Sequence, residues 1–398
     1  MIKAATVWVF AALAILSSAA ALAAEPATKS TNGSQLVFTK AGLPTDDAFF
    51  PVAVWLQNPA NARRYQAAGI NLYVGLWEGP TVEQLKELQR AQMPVICDQN
   101  AVGLANLTNP IIAGWMHGDE PDNAQPLSDG KGYGPPILPE RIVEDYGRIR
   151  NADASRPVLL NLGQGVAWDH WIGRGVRRNH PEDYAAYVKG CDIASFDIYP
   201  VVHDSPEVAG KLEFVARGVE RLAGWTQGLK PVWSCIECTH IGNPKAKATP
   251  HQVRAEVWMA LIRGARGLIY FVHQFQPAFR EAALLGDPAM LTAVTDINRQ
   301  IHELAPVLNS PTVRDGVSIQ ALDSPPTIAV MVKRHGNAVY VFAVNLRNTS
   351  TKATFTVREA KPATDAMVLG ETRRVPVSGE AFADEFSPYA VHLYRLGP

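Results

Sequence analysis

The chain has 398 residues, 47% of them hydrophobic and 19% charged, with a formal net charge of −1. That composition excludes a disordered chain, and the near-neutral balance gives no electrostatic reason to expect nucleic acid or an anionic membrane as partner. The length exceeds what one small core organises, so a large domain of ~250 residues with a smaller companion is the natural division.

Residues 1–23 read as a secretory signal peptide. Lys3 supplies the positive region, Val7 to Leu16 the apolar stretch and Ala21-Leu22-Ala23 the small-x-small cleavage pattern. A retained anchor is the competing reading, and the short, small-residue-rich run argues against it. No second apolar stretch of spanning length follows. The expected product is exported, periplasmic or secreted, and free of the membrane once the signal is removed. An N-terminal extension over residues 24–44 leads into the first domain.

From Phe49 to Leu304, short apolar runs alternate with helical patterns. The runs begin at Phe50, Ile70, Met93, Ile111, Arg156, Asp192, Pro231 and Gly267. Between them lie helical patterns, among them Val82–Arg90 with Thr81 as its cap, Pro139–Ile149, Glu207–Trp225 and Pro250–Arg263. Little helical pattern lies between Cys97 and Asn109, so the third unit is the least regular. Continuous apolar strands separated by amphipathic helices indicate a parallel sheet covered on its outer face. Eight such units close into a (β/α)8 TIM barrel, placed at residues 45–309.

After Val307 the texture changes to short strands: Val317–Ala321, Thr327–Val332, Ala338–Val344, Thr354–Val357 and Ala390–Tyr394. Gly336-Asn337 and Arg347-Asn348 sit where tight turns belong. A small antiparallel β-sandwich over residues 310–398 is expected, so the fold class is α/β, a barrel followed by a C-terminal β-sandwich. Four cysteines (Cys97, Cys191, Cys235 and Cys238) are too few for a disulfide-built scaffold. Cys235 and Cys238, three apart on one strand, point to opposite faces, which argues against a metal or redox pair.

Barrel active sites form at the C-terminal ends of the strands. The polar residues ending the runs include Gln57, Trp77, Asp98, Asp119, Glu120, Asn161, Gln164, Asp197, Tyr199, Glu237, His273 and Gln274. Carboxylates, amides and rings suit hydroxyl-rich ligands. Pro121 after Glu120 and Pro200 after Tyr199 stop the ladder, and the residue before a proline is expected to be extended. Asn123 to Pro136, rich in glycine and proline, is expected to loop over the barrel mouth.

Glutamate at the ends of the fourth and seventh strands, followed by a small β-sandwich, resembles the clan A retaining glycoside hydrolases. The architectural likeness covers residues 45–398, on motifs only a few residues long. It implies Glu120 as acid/base, Glu237 as nucleophile and Tyr199 as the residue that orients the nucleophile. Asp119 stands where that clan has asparagine, and the eighth strand lacks the usual tryptophan, leaving Tyr270, His273 or Gln274 to floor the site. The expected activity is retaining hydrolysis of O-glycosidic bonds in an oligo- or polysaccharide, with no cofactor and no metal. Asp119, Tyr199, Asp197, Asn161, Trp77, Asp98, His273, Gln274 and Trp168 are the expected substrate-binding residues. Two alternatives stay open: a noncatalytic glycan-binding barrel, and a barrel lyase, which would want a cation beside its base.

Overall fold

The computed structural model describes residues 42–321, 327–358 and 363–397. The expected signal segment lies outside them. No helix among the described residues is long and apolar enough to cross a membrane.

Eight strands close into a parallel barrel in chain order: β1 Val52–Trp55, β2 Leu72–Val74, β3 Val95–Asp98, β4 Ile112–Met116, β5 Val158–Leu162, β6 Ile193–Phe196, β7 Val232–Glu237 and β8 Gly267–Phe271. The ring is completed by β8 on β1, with Val52, Ala53 and Val54 opposite Leu268, Ile269 and Tyr270. Alternation along each strand divides the apolar residues into two layers. Ala53, Leu72, Ile96, Leu159, Ile193, Trp233 and Ile269 fill the barrel. Val52, Tyr73, Val95, Leu160, Phe196, Ile236 and Leu268 face the helices. Both faces are therefore covered, which is why the runs are continuously apolar. A Cβ at Gly267 would stand 2.5 Å from the Trp233 ring, so the indole fills the space that a side chain there would need.

The helices are α1 Ala62–Ala67, α2 Val82–Ala91, α3 Ala101–Ala105, α4 Pro139–Ala152, α5 Tyr184–Tyr187, α6 Glu213–Trp225, α7 Pro250–Ile262, α8 Pro288–Glu303 and α9 Ala305–Asn309. Thr81 caps α2, and Gln84 completes a reciprocal capping box. Thr249, Pro250 and Gln252 start α7 by the same device. The irregular third unit is real: α3 is a single short turn of helix, capped by Asn100.

Beyond α9 the chain forms β9 Val317–Ala321, β10 Ile328–His335, β11 Ala338–Asn345, β12 Thr351–Val357, β13 Asp365–Val368, β14 Arg374–Pro376, β15 Ala381–Phe386 and β16 Val391–Leu396. One sheet runs β10-β11-β16-β13-β14 and the other β15-β12-β9. Their facing residues, including Val341, Phe355, Phe382 and Tyr394, make a separate core. The sandwich rests on α7, with Phe342 against Trp258 at 5.4 Å between ring centroids. Across this junction Lys333 donates to the Leu308 and Ser310 carbonyls at 3.0 and 2.6 Å.

Candidate active site

The C-terminal ends of the barrel strands open into a cavity of about 1390 Å³. Typical small-ligand pockets measure ~300–1,000 Å³, so this one has room for a longer ligand. Its walls come from β1 (Trp55, Gln57), the loop after β2 (Trp77), the β4 tip (Asp119, Glu120), the loop after β5 (Gln164, Trp168, Trp171), the β6 tip (Asp197, Tyr199, His203) and the β8 end (Phe271, His273). Asn123 and Tyr133, from the glycine- and proline-rich tract after β4, also reach it.

Three carboxyl groups meet in this cavity. Glu120 and Asp197 interact directly, by charge and through a hydrogen bond between their carboxyls. Burial, then the charges of Asp197 and Asp119, push Glu120 well above the usual carboxylate range. Burial and Asp119 push Asp197 up to about 7, opposed by hydrogen bonds from Glu120 and Tyr199. Burial raises Asp119 to about 6, while a hydrogen bond from Asn161 holds it lower than it would otherwise be. Glu120 is therefore the member of the pair with the higher proton affinity, and its hydrogen bond to Asp197 lowers the latter. The buried Oδ1 of Asp197 has no hydrogen-bond partner among the described residues.

Glu120 departs from the expected extended geometry. Its φ is +42°, in the left-handed region that a β-carbon disfavours. The chain turns at once: Glu120 N–H donates to the Asn161 carbonyl at 3.1 Å, and Asn123 N–H donates back to the Glu120 carbonyl at 3.0 Å. These bonds override the bias set by Pro121. Strain of this kind clusters at functional sites.

The support beneath the acids is polar and hydrogen-bonded. Asn161 donates to Asp119 Oδ1 at 2.9 Å and accepts from the Ser195 hydroxyl at 2.8 Å. It thus orients Asp119 and does not line the cavity. Asp122, buried behind Glu120, accepts from Gly163 N–H at 2.8 Å and from the Tyr184 hydroxyl at 2.7 Å. Opposite, Gln57 donates to His273 Nε2 at 3.1 Å and accepts from the Tyr65 hydroxyl at 2.6 Å. Burial lowers His273 to about 4, so its ring is neutral.

Glu237 is not where the strand-seven reading puts it. It ends β7, fully buried, but is not among the residues lining the cavity. Its carboxylate accepts from the N–H groups of Val201 and Val202 at 2.6 and 3.1 Å and meets Glu256 of α7. Burial pushes Glu237 up to about 7, and burial together with the Glu237 charge raises Glu256 further. Position at a strand tip fixed the residue but not the direction of its side chain. The backbone amides of the loop after β6 capture it first.

Of the other expected ligand contacts, Asp119, Asp197, Tyr199, Trp77, Trp168 and His273 line the cavity. Asp98 does not. It is exposed at the β3 tip, where that strand leads directly into the short α3. Gln274 also does not: its side chain donates to the Ala278 carbonyl, and its backbone pairs with Arg280, so it shapes the loop after β8. Tyr270 points to the helices and donates to Asn298 of α8 at 2.9 Å.

Two aromatic clusters escaped the sequence reading. Trp168, Trp171 and His203 group with ring centroids 5.2–6.1 Å apart. Phe271, His273, Phe275 and Phe279 form the second group, at the β8 end. The spacing of 271, 273 and 275, every second residue of an extended segment, was the available signal for the latter. Trp171 lines the wall as well, and its indole N–H donates to Asn123 Oδ1 at 2.9 Å.

Comparison of the sequence with family models and with curated proteins finds no match. Comparison of the fold does. AmyP, crystallised with maltose, superposes with a TM-score of 0.50 at 9% identity, over 88% of this chain and 96% of AmyP. The maltogenic alpha-amylase AmyB from Thermotoga neapolitana gives a TM-score of 0.50 at 8% identity, over 88% of this chain and 99% of AmyB. The chain is therefore similar in fold to these proteins through both of its domains.

Proposed function

We propose that this chain is a glycoside hydrolase in which Glu120 is the general acid and Asp197 the carboxylate that works with it. The observation that carries the reading is the Glu120–Asp197 pair itself: two half-buried carboxyls in contact, with the higher proton affinity at Glu120, in the wall of a large aromatic-lined cavity. Environments that push two acids apart in proton affinity assign the acid and the base. The fold shared with AmyP and AmyB supports the same reading, since the first was crystallised with maltose and the second is described as an amylase.

In this mechanism the glycosidic oxygen enters between the two groups and takes the proton of Glu120. Asp197, held by Tyr199, attacks the anomeric carbon, and the bond to the leaving sugar breaks. Glu120, now a carboxylate, then takes a proton from the water that releases the glycosyl group, which makes the reaction retaining. Carboxyls this close are nearer the ~5–5.5 Å spacing of retaining enzymes than the ~6.5–9.5 Å of inverting ones, and they part to admit the sugar. Asp119, steered by Asn161, accepts a sugar hydroxyl. A lyase is not favoured, because no lysine or arginine is among the described residues lining the cavity. Export of the protein remains part of the proposal and rests on residues 1–23.

The test is turnover of aryl glycosides and of neutral oligosaccharides by Glu120→Gln, Asp197→Asn and Glu237→Gln. The first two are expected to lose roughly 10²–10⁴-fold in kcat/KM, the usual weight of general acid–base catalysis. Equal loss in Glu237→Gln with full activity in Asp197→Asn would return the nucleophile to β7.

A further inference from the structure

We infer that the cavity selects glycans that carry no anionic group: uronic-acid, sialylated, sulfated and phosphorylated chains are rejected, and uncharged chains are accepted. The inference rests on the glycosidase reading above and names the substrate class of that same site.

The charge inventory of the walls is one-sided. Asp119, Glu120, Asp197, Asp204 and Glu281 all line the cavity, and among the described lining residues there is neither lysine nor arginine. The two histidines add no compensating charge. Burial lowers both His203 and His273, the latter to about 4, so both are neutral near pH 7.

One arginine behind the wall is already engaged. Arg174 lies between the lining residues Gly173 and Gly175, but its guanidinium is buried. It bonds Asp183 at 2.8 Å and the carbonyls of His180 and Asp122. Recognition of a sugar carboxylate or sulfate needs a fork of donors or at least a point cation. Among the described residues Arg280 and Lys245 are exposed beside the lining residues Phe279, Glu281 and Pro244, but neither lines the cavity, and an anion entering it would meet carboxylates in a partly dehydrated setting where like charges are weakly screened.

What the walls do offer is suited to uncharged sugars. The Trp168/Trp171 group and the Phe271/Phe275/Phe279 group present flat apolar faces on which sugar C–H faces can rest. Gln57, Asn123 and Gln164 supply amides for hydroxyls.

The experiment is calorimetric titration of the Glu120→Gln variant, whose substitution replaces a protonated acid by a neutral amide and so leaves the cavity charge unchanged. It is titrated with neutral gluco-, xylo- and manno-oligosaccharides, and with oligouronates and sulfated chains of equal length. At least one neutral series is expected to bind, with the matched anionic chains weaker by about tenfold or more at low salt. Between about 10 and 150 mM salt the Debye length shrinks from ~30 to ~8 Å, so the gap is expected to narrow while neutral binding stays level. Asp204→Asn combined with Glu281→Gln is expected to narrow it further. Anionic chains binding as tightly as neutral ones would overturn the inference, as would a gap that ignores both salt and the double variant. Failure of every glycan, charged or not, to bind would instead overturn the glycosidase reading on which it rests.

Discussion

This barrel holds two pairs of acids in contact, one half-buried and one fully buried, in different settings. Glu120 and Asp197 meet in the wall of the cavity, whereas Glu237 and Glu256 meet in sealed protein beside it. Burial raises the proton affinity of all four. A perturbed acid is therefore no evidence of chemistry by itself. What separates the pairs is access to a ligand-sized space, and what the carboxylate already holds. Glu237 is occupied by two backbone amides; Asp197 Oδ1 and both Glu256 oxygens lack hydrogen-bond partners among the described residues, and of these residues only Asp197 borders the cavity.

The contrast breaks most sharply under isosteric substitution. Glu120→Gln and Asp197→Asn should abolish most turnover while leaving the thermal midpoint close to that of the parent. Glu237→Gln, which keeps an oxygen for Val201 and Val202, should retain most of its activity. Steady-state kinetics paired with thermal melts reads both outcomes.

Truncation should reverse the order. Glu237→Ala orphans two buried amides, each worth about 1–3 kcal/mol, so stability falls well below that of Asp197→Ala. Denaturant midpoints check this. Because Val201 and Val202 lie in the loop that carries Tyr199 and His203 to the cavity, a secondary loss of kcat is expected, and Glu237→Gln should rescue it.

The pH dependence sharpens the comparison further. Glu237 moves from an ordinary 4.5 to about 7 on folding, so the folded chain holds a proton that the unfolded chain has lost. Stability from this group is complete below about pH 4.5 and is lost as pH rises through about 7. Glu237→Gln should flatten the thermal midpoint over that window. Activity follows the other pair: kcat/KM should rise through about pH 7 as Asp197 ionises, then fall as Glu120 gives up its proton. The smallest expected effect is at the rim. Trp77, 52% exposed, lines the mouth, and Trp77→Ala should raise KM by no more than about tenfold, given the ~0.5–1.5 kcal/mol that ring stacking contributes. A KM series on oligosaccharides of increasing length measures it.

The architecture was legible because the barrel strands are largely apolar on both faces, α2, α4, α6 and α8 show an amphipathic period, and α2 and α7 carry capping boxes. The sandwich was half legible. β13, β14 and β15 were missed because Asp365–Val368 and Arg374–Pro376 are only four and three residues long, and Ala381–Phe386 alternates weakly around Asp384 and Glu385. At the site, Glu120, Asp119, Tyr199 and Trp168 were legible from their place at or beyond strand ends. Asp197 was seen but undervalued, since its partner lies two strands away. Glu237 was overvalued because sequence shows where a side chain starts and not which donors claim it. Trp171 and Phe279 sit in irregular loops, where no period marks their direction.

The left-handed backbone at Glu120 sets stability and function against each other at a single position. Glycine is the residue that backbone prefers. Replacing Glu120 with it would also remove a carboxyl that resists burial. Any laboratory selection for heat resistance alone would therefore be drawn toward an inert Glu120→Gly barrel. Such a campaign on this chain needs turnover in its screen from the first round.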